Sequence, residues 1–471
     1  MLFPTLVFLV FFVAVVILSA LCRNHFQLRK IVLTAASYIF YAQWNIWFCI
    51  LLALSTMLSF AAGRMIAATE REQRRKIYVG LAVALHLGIL AFFKYRDLVT
   101  ETLNEGLGWI NIATEIPFLD IALPIGVSFF TFHGISYIVD VYRKDVGVCR
   151  QPLDMALYMS FFPQLVAGPI VRAAYFLPQL TETARSARVP VTAALILILF
   201  GLFKKMVVAD YLAAGIVDPV FASPTSFGGA DLLLAVYAYA IQIYCDFSGY
   251  TDMAIGLAEL LGFRFPVNFR QPYRAQSLQD FWRRWHISLS NWLRDYLYKP
   301  LGGSRGSVLK TYRNLFLTML LGGIWHGAQW KFVAWGVLHG GGLAVERFSM
   351  RWTAKSRNSA GGKFFWMLAT FHFVCLCWIF FRAQDFATAF LFIESLGTGW
   401  DQGVQQASGL VIGLIALGFA LQFLPRRLLD GMIAALSRLP LWAQGGLAGA
   451  VVAAVEALGP DGISPFIYFQ F

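Results

Sequence analysis

Residues 2–22 read LFPTLVFLVFFVAVVILSALC, a run with no charged side chain. At about 1.5 Å per helical residue, such a run covers the roughly 30 Å hydrocarbon core of a bilayer. No basic residues precede it and no clear small-residue cleavage site follows, so it reads as a retained first helix rather than a signal peptide. Working outward, further apolar stretches lie at about 31–63, 77–93, 121–141, 152–171, 190–209, 231–262, 314–346, 364–381, 408–424 and 440–458. The 31–63 stretch is too long for one helix and is expected to break near Gln43-Trp44-Asn45. The 314–346 stretch is expected to break at Gly322-Gly323 and Gly340-Gly341-Gly342. Lipid offers backbone amides no partners, so a spanning segment must satisfy them internally. The runs are continuously apolar rather than alternating, which points to helices and away from a membrane β-barrel. The expectation is an all-α polytopic membrane protein of about 11–13 transmembrane and re-entrant helices, forming a single integral-membrane domain over 1–471.

The composition agrees. Of 471 residues, 58% are hydrophobic and only 14% charged, whereas a soluble domain carries about 25% charged residues. That excludes disordered, fibrous and ordinary cytosolic classes. The aromatic fraction of 16% suits lipid-facing surfaces and interfacial belts. No internal repeat is visible, which counts against inverted-repeat transporter folds. The six cysteines (22, 49, 149, 245, 375 and 377) show neither zinc spacing nor a disulfide framework. No metal site is expected.

The net charge of +12 is unevenly placed. Residues 264–313 hold ten Lys/Arg against two acids, which is eight of the twelve net charges. Residues 209–231 carry Asp210, Asp218 and Asp231 and no Lys or Arg. The positive-inside rule puts 264–313, and the basic loop 64–76, on the cytoplasmic side. In a membrane protein such an excess sets topology, and nucleic acid is not an expected partner. Within 264–313, Phe281, Trp282, Trp285, Leu289, Trp292, Leu293, Tyr296 and Leu297 recur at helical spacing. This reads as an amphipathic helix lying in or against the interface. Ser277 with Asp280 resembles a capping box, and Pro300 with Gly302-Gly303 ends the helix.

An ionisable group inside an apolar span is a functional candidate by default. His326 lies in Gly322-Gly323-Ile324-Trp325-His326-Gly327, where small neighbours permit close approach to the imidazole. His286 sits in Trp282-Arg283-Arg284-Trp285-His286-Ile287-Ser288. The plainer reading is a packed histidine bonding a backbone carbonyl, and it is favoured for His133, His339 and His372. Asp246 and Asp252 fall in the apolar stretch 231–262 and must be paired there. The Arg-rich segment 264–294 is the expected partner, in a structural polar network. No HExxH, GxSxG or Walker pattern occurs.

Several of these stretches resemble the membrane-bound O-acyltransferase family. They are Pro124–Phe132, Phe162–Ile170, Asp246–Gly256, 281–305, 322–330 and Trp378–Ala383, in family order across nearly the whole chain. The likeness is strongest to the bacterial branch that acetylates alginate, peptidoglycan and other polysaccharides outside the cytoplasm. It implies a ring of tilted helices around a thin central passage. It places the family's key histidine on His326 and its second polar position on His286, which is commonly Asn in eukaryotic-type members. In this branch a Phe-x-Tyr-x-x-Phe tail is proposed to present its Tyr as a transient acyl acceptor, and Phe466, Tyr468 and Phe471 match that spacing.

The resemblance implies a bacterial inner-membrane O-acetyltransferase with acetyl-CoA as donor substrate and no permanently bound cofactor. Arg283, Arg284, Lys299 and Arg305 are the expected contacts to the donor's phosphates. His326 is expected to act as general base on a hydroxyl of Tyr468 or of a partner's Ser. His286 or a nearby N–H would stabilise the oxyanion. An SGNH-type hydrolase-fold partner would pass the acetyl group to an extracytoplasmic polysaccharide, alginate-like first among the options. The competing readings are a polysaccharide or acyl-group transporter, or a recruiting scaffold, without chemistry of its own.

Overall fold

The computed structural model describes residues 2–112, 114–119, 121–166, 168–180, 189–460 and 465–467. The chain is mostly helical, and no strand occurs among the described residues. Among the described residues, six helices are long and apolar enough to cross a membrane: Ile46–Ala68, Glu72–Trp109, Val191–Ala222, Gly229–Leu260, Ala360–Arg382 and Leu441–Leu458. Shorter apolar helices are Leu6–Leu21, Phe386–Ser395 and Gly409–Leu421. The chain is therefore an all-α polytopic membrane protein. Val308–His326 and Trp330–Asn358 are also long, but charged residues at one end keep their average polarity higher.

The backbone groups into two compact units, Met1–Pro190 with Leu257–Pro266, and Val191–Gly256 with Val267–Phe471. In the first, the 31–63 stretch breaks where expected. One helix ends at Ala42, and the next begins at Ile46 because the Asn45 side chain accepts the Trp47 N–H at 2.9 Å. Helices Ile46–Ala68, Glu72–Trp109 and Val127–Arg143 converge on Gly134. A Cβ there would collide with His86 Nε2 and Ser59 Oγ. His86 is accordingly structural: its Nδ1–H donates to the Ala82 carbonyl, and its Nε2 accepts from Ser59.

In the second unit, Gly229–Leu260 is the most enclosed of the long apolar helices. It crosses Val191–Ala222 backbone to backbone. A Cβ on Gly249 would lie 2.7 Å from the Gly201 carbonyl oxygen, and one on Gly256 would lie 2.6 Å from that of Ala194. This closeness decides who partners the buried aspartates. Lys204 reaches Asp252 at 2.5 Å, and Lys205 reaches Asp246 at 2.7 Å and Asp210 at 2.6 Å. The partners are thus two lysines of the facing helix, not the Arg-rich segment 264–294. Both lysines lie in the π-helical turn Phe203–Ala209, a local widening of the kind that recurs at special sites.

The 264–313 segment is not one amphipathic helix. The Ser277 side chain caps Leu278–Arg284 through the Asp280 N–H, as its sequence predicts. The helix then stops, and a second runs Ile287–Leu293 and passes into a π turn to Tyr298. The break is at His286, whose φ of +41° is left-handed. Phe281, Trp285, Leu289, Trp292 and Leu293 are all buried, so this face packs into protein. Gly302 and Gly303 close the segment with positive φ.

The glycines of 314–346 do the opposite of breaking it. Val308–His326 runs through Gly322-Gly323, Trp330–Asn358 runs through Gly340–Gly342, and the chain reverses at 327–329 between them. A Cβ on Gly323 would lie 2.9 Å from the Gly336 Cα, one on Gly336 2.8 Å from the Met319 carbonyl, and one on Gly340 3.0 Å from the Phe316 Cα. The two helices form a hairpin closed along a glycine seam. Gly336→Val should therefore force the helices apart and lower the melting temperature of the detergent-purified protein, since overpacking costs about 1–3 kcal/mol. Gly341→Ala, where a Cβ meets nothing within 4 Å, should leave it unchanged or raise it slightly.

Candidate functional site

His326 is the last residue of the first hairpin helix, at the point where the chain reverses. Gly327 permits the reversal, because a Cβ there would run into the Phe332 ring. The imidazole is 4% exposed. Around it stand Trp325 at 5.1 Å, Trp335 at 4.9 Å and Phe381 at 5.4 Å between ring centroids. Two of the three supporting rings come from helices that the seam brings close.

His286 is fully buried. Residues 268–270 run alongside 284–288 and clamp it: Arg270 N–H donates to the Arg284 carbonyl, and Ile287 N–H donates to that of Asn268. The Asn268 side chain completes the clamp. Its Oδ1 accepts from Ser288 N–H at 3.0 Å, from Ser288 Oγ at 2.9 Å and from His286 Nδ1 at 3.3 Å. A backbone N–H can only donate, so the amide oxygen must face this way. Nδ1 of neutral His286 therefore carries the hydrogen, and Nε2 carries the lone pair. The His286 ring meets Phe247 at 4.6 Å. A continuous layer of rings (Phe269, Trp285, Trp378 and Phe381) leads from His286 to His326.

Beside this layer is a cavity of about 370 Å³, walled by Trp282, Arg283, Arg294, Met319, Glu346 and Arg347 among others. Met319 and His326 are seven residues apart on one helix, so they share a face roughly 10 Å apart along its axis. Of the four cations expected at the donor, only Arg283 lines the cavity. Arg284 pairs with Asp280 at 2.8 Å and Lys299 with Asp295 at 2.7 Å. Arg305 is exposed and lies outside the lining. Sequence reading missed Arg294 and Arg347. The signal for Arg347 was its spacing with Leu343, Glu346 and Met350, which puts all four on one helical face. Glu346 is committed structurally, accepting from Leu278 N–H at 2.6 Å at the start of the Leu278–Arg284 helix.

The segment 465–467 joins the polar network. Ile467 N–H donates to Asp246 Oδ2 at 2.9 Å, and the buried Phe466 ring meets Tyr250 at 4.4 Å and Phe247 at 5.7 Å. Tyr468 and Phe471 lie outside the described residues. His372 has a structural role, with Nδ1–H on the Leu368 carbonyl and Nε2 accepting from Tyr237.

A family model described as MBOAT, the membrane-bound O-acyltransferase family, matches residues 148–383. The chain is 41% identical over 429 residues to the probable alginate O-acetylase AlgI of Pseudomonas aeruginosa, covering 89% of this chain and 80% of that protein. It is 36% identical over 411 residues to the peptidoglycan O-acetyltransferase of Helicobacter pylori, covering 82% and 76%. A more distant similarity, 29% over 279 residues, links it to the teichoic acid D-alanyltransferase of Bacillus subtilis, covering 56% and 69%.

The Asn268 clamp has a measurable consequence. Asn268→Ala strips the acceptor from three donors, and each buried donor left unpaired costs about 1–3 kcal/mol. The thermal midpoint in detergent should fall by several degrees. Ser288→Ala removes one group and should lower it by less.

Proposed function

The chain belongs to the membrane-bound O-acyltransferase family, and we propose that it carries an acetyl group from cytoplasmic acetyl-CoA to an acceptor for O-acetylation of a polysaccharide outside the bacterial inner membrane. It is an O-acyltransferase, and a transporter or scaffold without chemistry of its own is set aside on that ground. The names of its relatives support acetyl as the group and an alginate- or peptidoglycan-type polymer as the destination.

The observation that carries the mechanism is the position of His326. It sits at the buried tip of a hairpin whose first helix also walls a cavity lined by three arginines. The donor's phosphates are negative, and Arg283 and Arg347 offer multidentate hydrogen bonds to them, while Arg294, forked onto Asp295 at 2.9 and 3.0 Å, adds positive charge to the wall. The thioester arm would then extend along the Leu315–Met319 face toward the imidazole. A cavity of this size suits a small ligand or part of a larger one. Neutral His326 takes the proton of the acceptor hydroxyl, which belongs to Tyr468 or to a Ser of an SGNH-type partner. That oxygen forms a bond to the thioester carbonyl carbon. The adduct collapses by breaking the carbon–sulfur bond, and the CoA thiolate recovers the proton. His286, whose Nδ1–H is held by Asn268, acts as a positioning residue at the far end of the ring layer. Asp246, held by Lys205, seats the backbone of the segment that leads into Tyr468.

His326→Ala should abolish polymer acetylation while expression and membrane insertion persist, and normal acetylation in that variant would overturn the mechanism. Tyr468→Phe keeps the ring and removes the nucleophile. Loss of transfer is expected, and full activity would leave the tail as an aromatic anchor. Arg347→Ala should raise KM for acetyl-CoA about tenfold or more, as expected for one lost charge-assisted contact of about 1.5–3 kcal/mol.

A further inference from the structure

Acyl transfer by the route above builds negative charge on the thioester oxygen. A site that accelerates it needs a hydrogen-bond donor aimed at that oxygen, close to the base. Neither histidine is suited. His326 must be neutral to take a proton, and the one N–H of neutral His286 is given to Asn268.

Trp335 has the right chemistry and position. It is 1% exposed, and its ring stands edge-on to His326 at 4.9 Å and 83°. It also meets Trp282, which walls the cavity, at 5.6 Å. Its indole N–H is buried and has no acceptor among the described residues. An indole N–H is purely a donor, and leaving one buried and unpaired costs about 1–3 kcal/mol. A phenylalanine would provide much of the apolar ring without that cost. Such an orphan calls for a reason beyond packing. The same layer contains other unsatisfied groups: the indole N–H of Trp282, that of Trp378, and both ring nitrogens of His339. Trp335 is the one of these four whose ring meets the His326 imidazole.

We propose that the Trp335 indole N–H is the oxyanion donor of the reaction, taking as its partner the carbonyl oxygen of the donor's thioester. As the acceptor oxygen bonds to the carbonyl carbon, the carbonyl π pair moves onto this oxygen, and the indole N–H holds it. The pair returns when the carbon–sulfur bond breaks. The proton passes from the hydroxyl to His326 and on to the CoA thiolate. Because the donor is neutral and enclosed by rings, it strengthens as charge develops and leaves ground-state binding little changed.

This rests on the reading of His326 as base, and the experiment separates the two. In acetyl-transfer assays with acetyl-CoA, Trp335→Phe should lower kcat about 100-fold, the usual scale for one oxyanion donor, with KM for acetyl-CoA unchanged. Replacing Trp335 by 3-benzothienylalanine, which puts sulfur in place of the N–H at nearly constant shape, should do the same with an unaltered melting temperature. Trp378→Phe removes an equally buried N–H whose ring is not against His326, and kcat should stay near wild type. Wild-type kcat in the benzothienylalanine protein, with His326→Ala inactive, would overturn this inference and leave the proposed reaction standing. A kcat loss of similar size in Trp378→Phe would also overturn it, by showing a packing effect. Activity in His326→Ala would overturn the reading of the site and this inference with it.

Discussion

The contact on which the site depends is backbone against backbone, between Val308–His326 and Trp330–Asn358 along Gly323, Gly336 and Gly340. In hydrocarbon, helices gain little from burying apolar side chains against each other, since lipid is equally apolar. Close van der Waals approach must supply the association, and small residues allow it. The seam has chemical consequences beyond holding two helices together. It puts His326 at a reversal, sets Met319 and Arg347 on walls of one cavity, and brings Trp335 against the imidazole. Loosening it by one methyl group would disturb all three together.

A second glycine crossing, at Gly201 and Gly249, does for charge what the first does for aromatic rings. Two lysines and three aspartates lie within ion-pairing distance in the interior of the second unit. Such pairs add little net stability, because desolvation offsets much of their attraction. Their value is in fixing geometry. Asp246 has one oxygen for Lys205 and the other for the Ile467 N–H, so the register of the 465–467 segment follows from where the helices cross.

Fold class was legible in the sequence because membrane spans announce themselves by length and apolarity. The break at 43–45 and the cap at Ser277 were legible because each needs only one side chain and its local backbone. The readings that failed involve partners distant in sequence. Glycines in 322–342 look like helix breakers on propensity alone, at about 1 kcal/mol each against Ala. Only the facing helix shows that Gly323, Gly336 and Gly340 are contact points. The arginines at 264–294 looked like the natural partners of Asp246 and Asp252 because they are many and near in sequence. Lys204 and Lys205 prevailed because the Gly201 crossing puts them within reach. At the site, His326 stood out as an ionisable group in an apolar run, and His286 as the histidine of a basic, aromatic-rich segment. Asn268, Trp335 and Arg347 did not, since an ordinary Asn, Trp or Arg carries no signal until its neighbours are known.

The left-handed turn at His286 has a consequence for what else that position can hold. A backbone with φ near +41° excludes β-branched residues and disfavours most others. Glycine enters it freely, and Asn, Asp and His are the side chains found there more often than others. Of these, only His and Asn are neutral polar groups able both to receive a hydrogen bond and to give one. The turn acts as a filter that narrows the genetic alphabet before catalysis chooses from it.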